Sequence, residues 1–343
     1  MGVAYGLALE QLESAASGVF GADKKVRSLG IGRHGSGFGY VAVRNAAAIQ
    51  PLGGVEAIAA AVPSFGKIPV TYIDSQNDPK SLVKVPHTGP GSPTAASLVP
   101  EQANHRPLVC GLQIENFDDD VRTGVIQGGN IIVGTLGCFV TLQSGNKAIL
   151  SNNHVVAGEN RGLRGNDRIM QPGSGAFTAA EQAGTLTDFV AVQPSPAGAT
   201  PAGGGVIFND VDAGVAQLLA NVKFAQTYLS TRTSVKPPGG TAAAAVGDQV
   251  FKVGRTTGLT HGEVTQVSTI VGPIPYAPGP CWFQNTLVVE GLDGTMFSDH
   301  GDSGSAVVRS DGKIVGLLFA GNGQQTYVCD IGLVLQALQC TIP

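Results

Sequence analysis

The stretch His300-Gly301-Asp302-Ser303-Gly304-Ser305-Ala306-Val307-Val308 decides how the rest of the chain is read. It follows a polar, glycine-containing run (LDGTMFSD, 292–299) and leads into an apolar strand. Asp311-Gly312 then marks a hairpin turn and Ile314–Phe319 a second strand. A nucleophilic serine needs the substrate backbone close by and backbone N–H groups free to point at it, and glycines on both sides permit this. The amides of Gly301 and Ser303 are placed to form an oxyanion hole. Taken alone, the pentapeptide also reads as a polar β-turn, so its meaning depends on what else the chain carries.

Two further stretches supply it. Ala148-Ile149-Leu150-Ser151-Asn152-Asn153-His154-Val155-Val156 is a strand running into a short polar turn that presents one of only six histidines. A general base belongs at such a place, held by rigid structure yet open to a cleft. Asn209-Asp210-Val211-Asp212-Ala213-Gly214-Val215 sets an aspartate before small and apolar residues. That pattern suits a carboxylate turned inward, where it can fix the histidine tautomer and stabilise the imidazolium. Asp188, before the apolar Phe189-Val190, is the rival for that role; Asp210 reads as a turn or capping residue. The order His154, Asp212, Ser303 is that of chymotrypsin-type sites and not the Ser, Asp, His order of α/β-hydrolases. Ser305 also occupies the position where the α/β-hydrolase elbow requires glycine.

Composition agrees. Glycine numbers 49 and charged residues are 13% of the chain, against about 25% in an average domain. Many glycines between short Val/Ile/Leu runs suit an all-β protein with tight turns. The formal net charge of −4 and the lack of any Lys/Arg cluster argue against nucleic acid. No apolar run is long enough for a transmembrane helix, so no membrane partner is expected. The start of the chain has no basic region, and Glu10 and Glu13 interrupt its apolar part, unlike a secretory signal. The five cysteines, Cys110, Cys138, Cys281, Cys329 and Cys340, are odd in number and irregularly spaced. They make a poor disulfide framework and no zinc pattern, which suits free thiols in a reducing cytoplasm.

Along the chain, residues 1–105 read as a small α+β domain with a Pro/Gly-rich linker over 76–108, and 106–343 as a second domain. Tyr5–Ala16 has helical spacing, Val26–Ile31, Gly39–Arg44 and Ile68–Ile73 read as strands, and Val55–Val62 as a short helix. The glycine-rich 32–39 stretch lacks the Lys-Ser/Thr ending of a phosphate loop and reads as a hairpin turn. Two β-rich halves follow, about 126–220 and 242–337, and IGLVLQALQ near the end suits a closing helix.

Together these stretches resemble the trypsin/chymotrypsin family of serine proteases, of the bacterial intracellular trypsin-like type. The Asn152-Asn153-His154 strand end is similar to the trypsin histidine strand, and GDSGSAVV to the trypsin serine motif with Ser305 replacing a common glycine. Phe251–Val264 (FKVGRTTGLTHGEV) resembles the first hairpin of the second barrel in HtrA-type peptidases. The resemblance covers about 125–337. It implies an all-β fold of two six-stranded antiparallel barrels, chymotrypsin-like, with the site in the cleft between them. It also implies a serine endopeptidase with His154, Asp212 and Ser303 as the triad, needing neither metal nor organic cofactor and acting on a protein or peptide substrate. Phe297, six residues before the serine, would line the base of the first substrate pocket, with Phe319, Ala320 and Gly321 as its wall. An apolar or small side chain is then expected there, with Asp293 or Asp299 able to reach in from the loop.

Some features depart from the family. Val155 stands where secreted trypsins have a half-cystine, so Cys138 is expected to lack its usual partner. Ile131-Ile132-Val133-Gly134 resembles an activated trypsin N-terminus but lies too near His154 and reads as an ordinary strand. Asp302 then needs some other partner, since an unpaired buried carboxylate is costly. Two other functions stay open: a catalytically silent relative serving as a binding module or scaffold, and a serine esterase. Residues 1–105 could engage a regulatory partner, act as an inhibitory prosegment, or simply pack.

Overall fold

A computed structural model describes residues 2–45, 64–80, 84–86 and 99–343. The helix expected over Val55–Val62 and part of the linker lie outside the described residues.

The N-terminal part forms α1 (Tyr5–Glu10), α2 (Leu12–Ala22), β1 (Val26–His34), β2 (Gly37–Asn45), β3 (Ser64–Phe65), β4 (Ile68–Ser75) and β5 (Lys84–Pro86). The helical stretch breaks at Gln11 and runs on past Ala16, because Val19 and Phe20 still have apolar surface to cover. Phe20 meets Trp282 edge-to-face with ring centroids 5.3 Å apart.

The first β-rich half contains β6 (Gln113–Asn116), α3 (Phe117–Arg122), β7 (Asn130–Thr135), β8 (Cys138–Leu142), β9 (Lys147–Ser151), α4 (Asn153–Val156), β10 (Arg168–Met170), β11 (Gln182–Phe189), β12 (Phe208–Asn209) and β13 (Gly214–Leu218). The second contains β14 (Gln249–Gly254), β15 (Gly258–Tyr276), β16 (Gly279–Gly291), β17 (Ala306–Arg309), β18 (Ile314–Gly321) and β19 (Gln325–Asp330). The chain closes with α5 (Ile331–Leu338) and β20 (Cys340–Thr341). The Asp330 carboxylate caps α5, accepting from the amides of Gly332 and Leu333.

Strands β14 to β19 form a closed antiparallel ring, in the order β14-β15-β16-β19-β18-β17 and back to β14. In the first half the order is β8-β9-β13-β11-β10-β6-β7, flanked by β20 and β5. No ladder among the described residues joins β7 to β8. The amides at that corner are committed elsewhere: Thr135 N donates to Ser303 O and Leu136 N to Leu112 O, both at 2.8 Å. Most of these strands are buried along nearly their whole length, as in β6, β7, β14 and β18, because both of their faces are covered. The result is the mostly-β chymotrypsin-like architecture.

The N-terminal strands continue the second ring's sheet. β1 pairs antiparallel with β15 (Ser28 opposite Val271), and β2, β4 and β3 add outward from it. One apolar cluster joins Leu12, Val19, Phe20, Leu29 and Ile31 to Val264, Trp282, Val289 and Val328. The described residues of 2–45 and 64–75 therefore share a core with the second ring.

Candidate active site

The pairing of β9 with β13 sets Ser151 opposite Gly214. Since the strands are antiparallel, the residues just after Ser151 and just before Gly214 emerge at the same end. That brings His154, in α4, to Asp212. His154 Nδ1 lies 2.5 Å from Asp212 Oδ2, and the His154 amide donates to Oδ1 at 3.2 Å; both side chains are fully buried. His154 Nε2 is buried too and has no hydrogen-bond partner among the described residues. The two asparagines before the histidine are clamps. Asn152 Nδ2 donates to Asp212 O at 2.7 Å, and Asn153 Nδ2 to Val190 O at 2.6 Å. A Cβ on Gly214 would come 2.7 Å from Val156 Cγ2, so α4 can sit over β13 only because that position is glycine.

Asp188 is elsewhere: it is half exposed and pairs with Arg164 at 2.7 Å. Asp210 accepts from Gln284 and Asn285 on the surface. Asp212 has a further partner that no local pattern announces. Tyr276, at the end of β15, donates its hydroxyl to Asp212 Oδ2 at 2.6 Å. Burial first, and the neighbouring Asp212 second, push the Tyr276 phenol well above its ordinary range, so it stays a donor. The Asp212 amide in turn donates to Cys329 Sγ at 3.3 Å.

Ser303 lies in the turn before β17, fastened to the first half by Thr135. The Thr135 amide donates to Ser303 O, and its hydroxyl to Gly301 O at 3.0 Å. Gly301 (φ 95°) and Gly304 (φ 92°) adopt the backbone region that side chains disfavour. At Gly304 a Cβ would also come 2.2 Å from Ser151 Oγ. Ser305 turns its hydroxyl back to Asp302 O at 2.6 Å, tightening the turn where the family commonly has glycine.

Asp302 is fully buried and its partners are all internal. Oδ1 accepts from the amides of Thr256 (2.8 Å) and Thr257 (3.2 Å); Oδ2 accepts from the Thr257 hydroxyl (2.6 Å) and the Asp299 amide (3.0 Å). Lys252 Nζ, itself fully buried, completes the set at 3.2 Å. Burial lowers the Lys252 pKa and Asp302 opposes that shift. Lys252 is thus the charged partner that a buried carboxylate at Asp302 needs.

A cavity of about 230 Å³ opens beside Ser303, with Ser298, Asp299, Leu318, Ala320 and Gly321 in its walls. Ala320 and Gly321 fall where the sequence reading put them. Phe297 and Phe319 do not line it. Phe297 points into the core shared with the N-terminal part, because Thr260 holds its carbonyl (2.6 Å) and turns the ring inward. Phe319 packs against Phe283 at a tilt, with centroids 4.7 Å apart. Asp299 reaches the cavity and Asp293 does not. All five cysteines are free and buried. The residue packed against Val155 is Gly134, where a Cβ would meet Val155 Cγ2 at 2.4 Å. Cys138 lies on β8 opposite Leu150 of β9 and is one of these free cysteines.

A family profile described as the trypsin-like peptidase domain matches residues 135–317, just over half of the chain. No curated protein matches. Among solved structures, Nocardiopsis protease (NAPase) is 17% identical over 68% of this chain and 97% of its own, with a TM-score of 0.44. A glutamic acid specific serine protease, described as using a novel histidine triad in substrate binding, is 19% identical over 69% of this chain and 100% of its own, at 0.45. Thermobifida fusca protease A is 18% identical over 61% and 91%, at 0.41.

Proposed function

The chain belongs to the trypsin-like peptidase domain family, and on that premise we propose that it is a serine endopeptidase in which His154, Asp212 and Ser303 cut peptide bonds through an acyl-enzyme. Family membership implies a peptide or protein substrate. In the proposed reaction Ser303 Oγ attacks the scissile carbonyl carbon while His154 Nε2 takes the hydroxyl proton. The oxyanion is received by the amides of Gly301 and Ser303. Collapse breaks the C–N bond, and His154 returns the proton to the leaving amine. Water then adds to the acyl-enzyme with His154 again as base, freeing Ser303. Asp212 keeps the Nδ1 proton in place and offsets the imidazolium charge.

The observation that carries this reading is the buried His154–Asp212 pair, which engages Nδ1 and leaves Nε2 as the ring nitrogen without a partner. The ordered Gly301–Gly304 turn favours an active enzyme over a silent binding module. Ser298, Leu318 and Ala320 support a small or apolar side chain in the cavity, with Asp299 and His300 bringing polar groups to its rim. The buried, unpaired cysteines support a reducing working environment such as the cytoplasm.

Intact-mass analysis after fluorophosphonate treatment tests the proposal. One adduct is expected on the native chain and none on Ser303→Ala or His154→Ala. An adduct that persists in folded Ser303→Ala would assign the reactivity to another residue and remove the triad.

A further inference from the structure

The cavity beside Ser303 has a second wall that does not come from the peptidase region. Asn77, Asp78 and Lys80, from the segment after β4, complete it. Lys80 pairs antiparallel with Gly321, the last residue of β18, and exchanges both main-chain hydrogen bonds. Lys80 N donates to Gly321 O at 2.9 Å, and Gly321 N to Lys80 O at 3.1 Å. The pairing is anchored on each side. Asn77 Nδ2 donates to Asn322 O at 3.3 Å, and Asp78 is held by Arg27 of β1 at 2.7 Å. Only a few residues later, β5 runs antiparallel along β7, with Lys84 opposite Ile132 and Pro86 opposite Asn130. β7 ends at Thr135, the residue whose amide holds Ser303 O.

One pairing thus falls at the end of β18, past its last pairing with β17 (Ala306 opposite Leu317), and the other on the outer side of β7, one in each half of the protein and both on strands that reach Ser303. Four residue steps separate Lys80 from Lys84, at most about 14 Å of extended chain. An endopeptidase must hold its substrate in an extended form beside the nucleophile, and free main-chain groups on a sheet edge are the general means of doing so. At Gly321 both of those groups are already taken by Lys80.

We propose that Asn77–Lys80 and Lys84–Pro86 are an intramolecular occupant of the peptide cleft, an autoinhibitory strand that an extended substrate must displace. The proposal rests on Ser303 being the nucleophile. Tethering gives such a strand an effective concentration on the order of mM, which holds off weakly binding peptides. The few hydrogen bonds that hold it leave it displaceable by a better-fitting substrate or by a partner that draws it away.

Point variants of the full chain test this, because removing the N-terminal part would strip β1 from β15 and uncover Trp282. Lys80→Pro deletes the N–H donated to Gly321; Asn77→Ala and Arg27→Ala loosen the anchors without touching the pairing itself. Two rates are compared: kcat/KM on an eight-residue peptide substrate, and the reaction of Ser303 with a small fluorophosphonate that needs no extended pairing. For Lys80→Pro, kcat/KM should rise about tenfold, mostly through KM, the equivalent of one to two main-chain hydrogen bonds. The fluorophosphonate rate should change less than twofold. Asn77→Ala and Arg27→Ala should show smaller rises and carry the test if Lys80→Pro folds poorly. Peptide turnover within twofold of the native chain in the folded variants, with Ser303 reacting in all of them, would overturn autoinhibition and leave the nucleophile standing. No fluorophosphonate reaction in the native chain or any variant would remove the nucleophile, and the autoinhibitory reading with it.

Discussion

Tyr276→Phe removes one oxygen and isolates what the hidden partner of Asp212 does. The lost bond is 2.6 Å long, buried, and made to a carboxylate, so it belongs with charge-assisted hydrogen bonds worth about 1.5–3 kcal/mol. Asp212 keeps His154 Nδ1 on Oδ2 and the His154 amide on Oδ1. The carboxylate is therefore not orphaned, and a stability loss of about 2 kcal/mol is expected. The catalytic effect has a definite direction. The phenol spreads the Asp212 charge; without it the carboxylate binds the His154 Nδ1 proton more strongly and favours imidazolium. The acid limb of kcat/KM should then move to higher pH. The assay is a pH profile of peptide cleavage together with a thermal melt. A variant that melts earlier but keeps its acid limb within a tenth or two of a unit would refute the electrostatic role and leave Tyr276 as packing alone.

Other perturbations follow from the same contacts. Lys252→Met leaves Asp302 buried without its cation and should cost about 3–5 kcal/mol and sharply slow fluorophosphonate labelling, whereas Lys252→Met with Asp302→Asn should recover most of the stability in a melt. Phe20→Ala opens a hole against Trp282 and should cost about 3–5 kcal/mol, with loss of hydrogen-exchange protection along β15 as well as in α2; protection lost in α2 alone would mean that the N-terminal part unfolds independently. Burial pushes the Glu115 carboxyl up to about 7 and that of Asp120 up to about 8, Glu115 adding to the second shift. The folded protein therefore binds more protons than the unfolded chain between about pH 4 and pH 8, and stability falls as pH rises across that window and levels off above about pH 8. Glu115→Gln should flatten the drop in melting temperature between pH 6 and 9, and an unchanged slope would place the effect elsewhere.

The elements nearest the chemistry were the most legible in the sequence. Glycines around Ser303, a histidine ending an apolar strand and an aspartate before small residues are local patterns, and their order along the chain separates one fold from another. The short strands with glycine turns gave the mostly-β chymotrypsin-like class. Those signals survive because each depends on a few neighbouring residues and on backbone preferences that act over a turn or two. The pocket was less legible. Phe297 and Phe319 sit at the right sequence offsets, yet which way a ring points from a loop or strand depends on the carbonyl that Thr260 captures and on the ring that Phe283 offers. The N-terminal part was readable as helices and strands, but its attachment to β15 was not, since an edge strand carries no mark of the partner it will find.

What the sequence determined by itself was the set of groups proposed to react and the class of scaffold that holds them. What the tertiary structure decided was their company: Tyr276 on Asp212, Lys252 on Asp302, Gly134 against Val155, and Lys80 on Gly321. These pairs lie far apart along the chain and are joined by strand register and by closure of the second ring. No spacing rule reaches them, because the free energy that selects them comes from burying charge and main-chain hydrogen bonds together, which happens only once the barrels have formed.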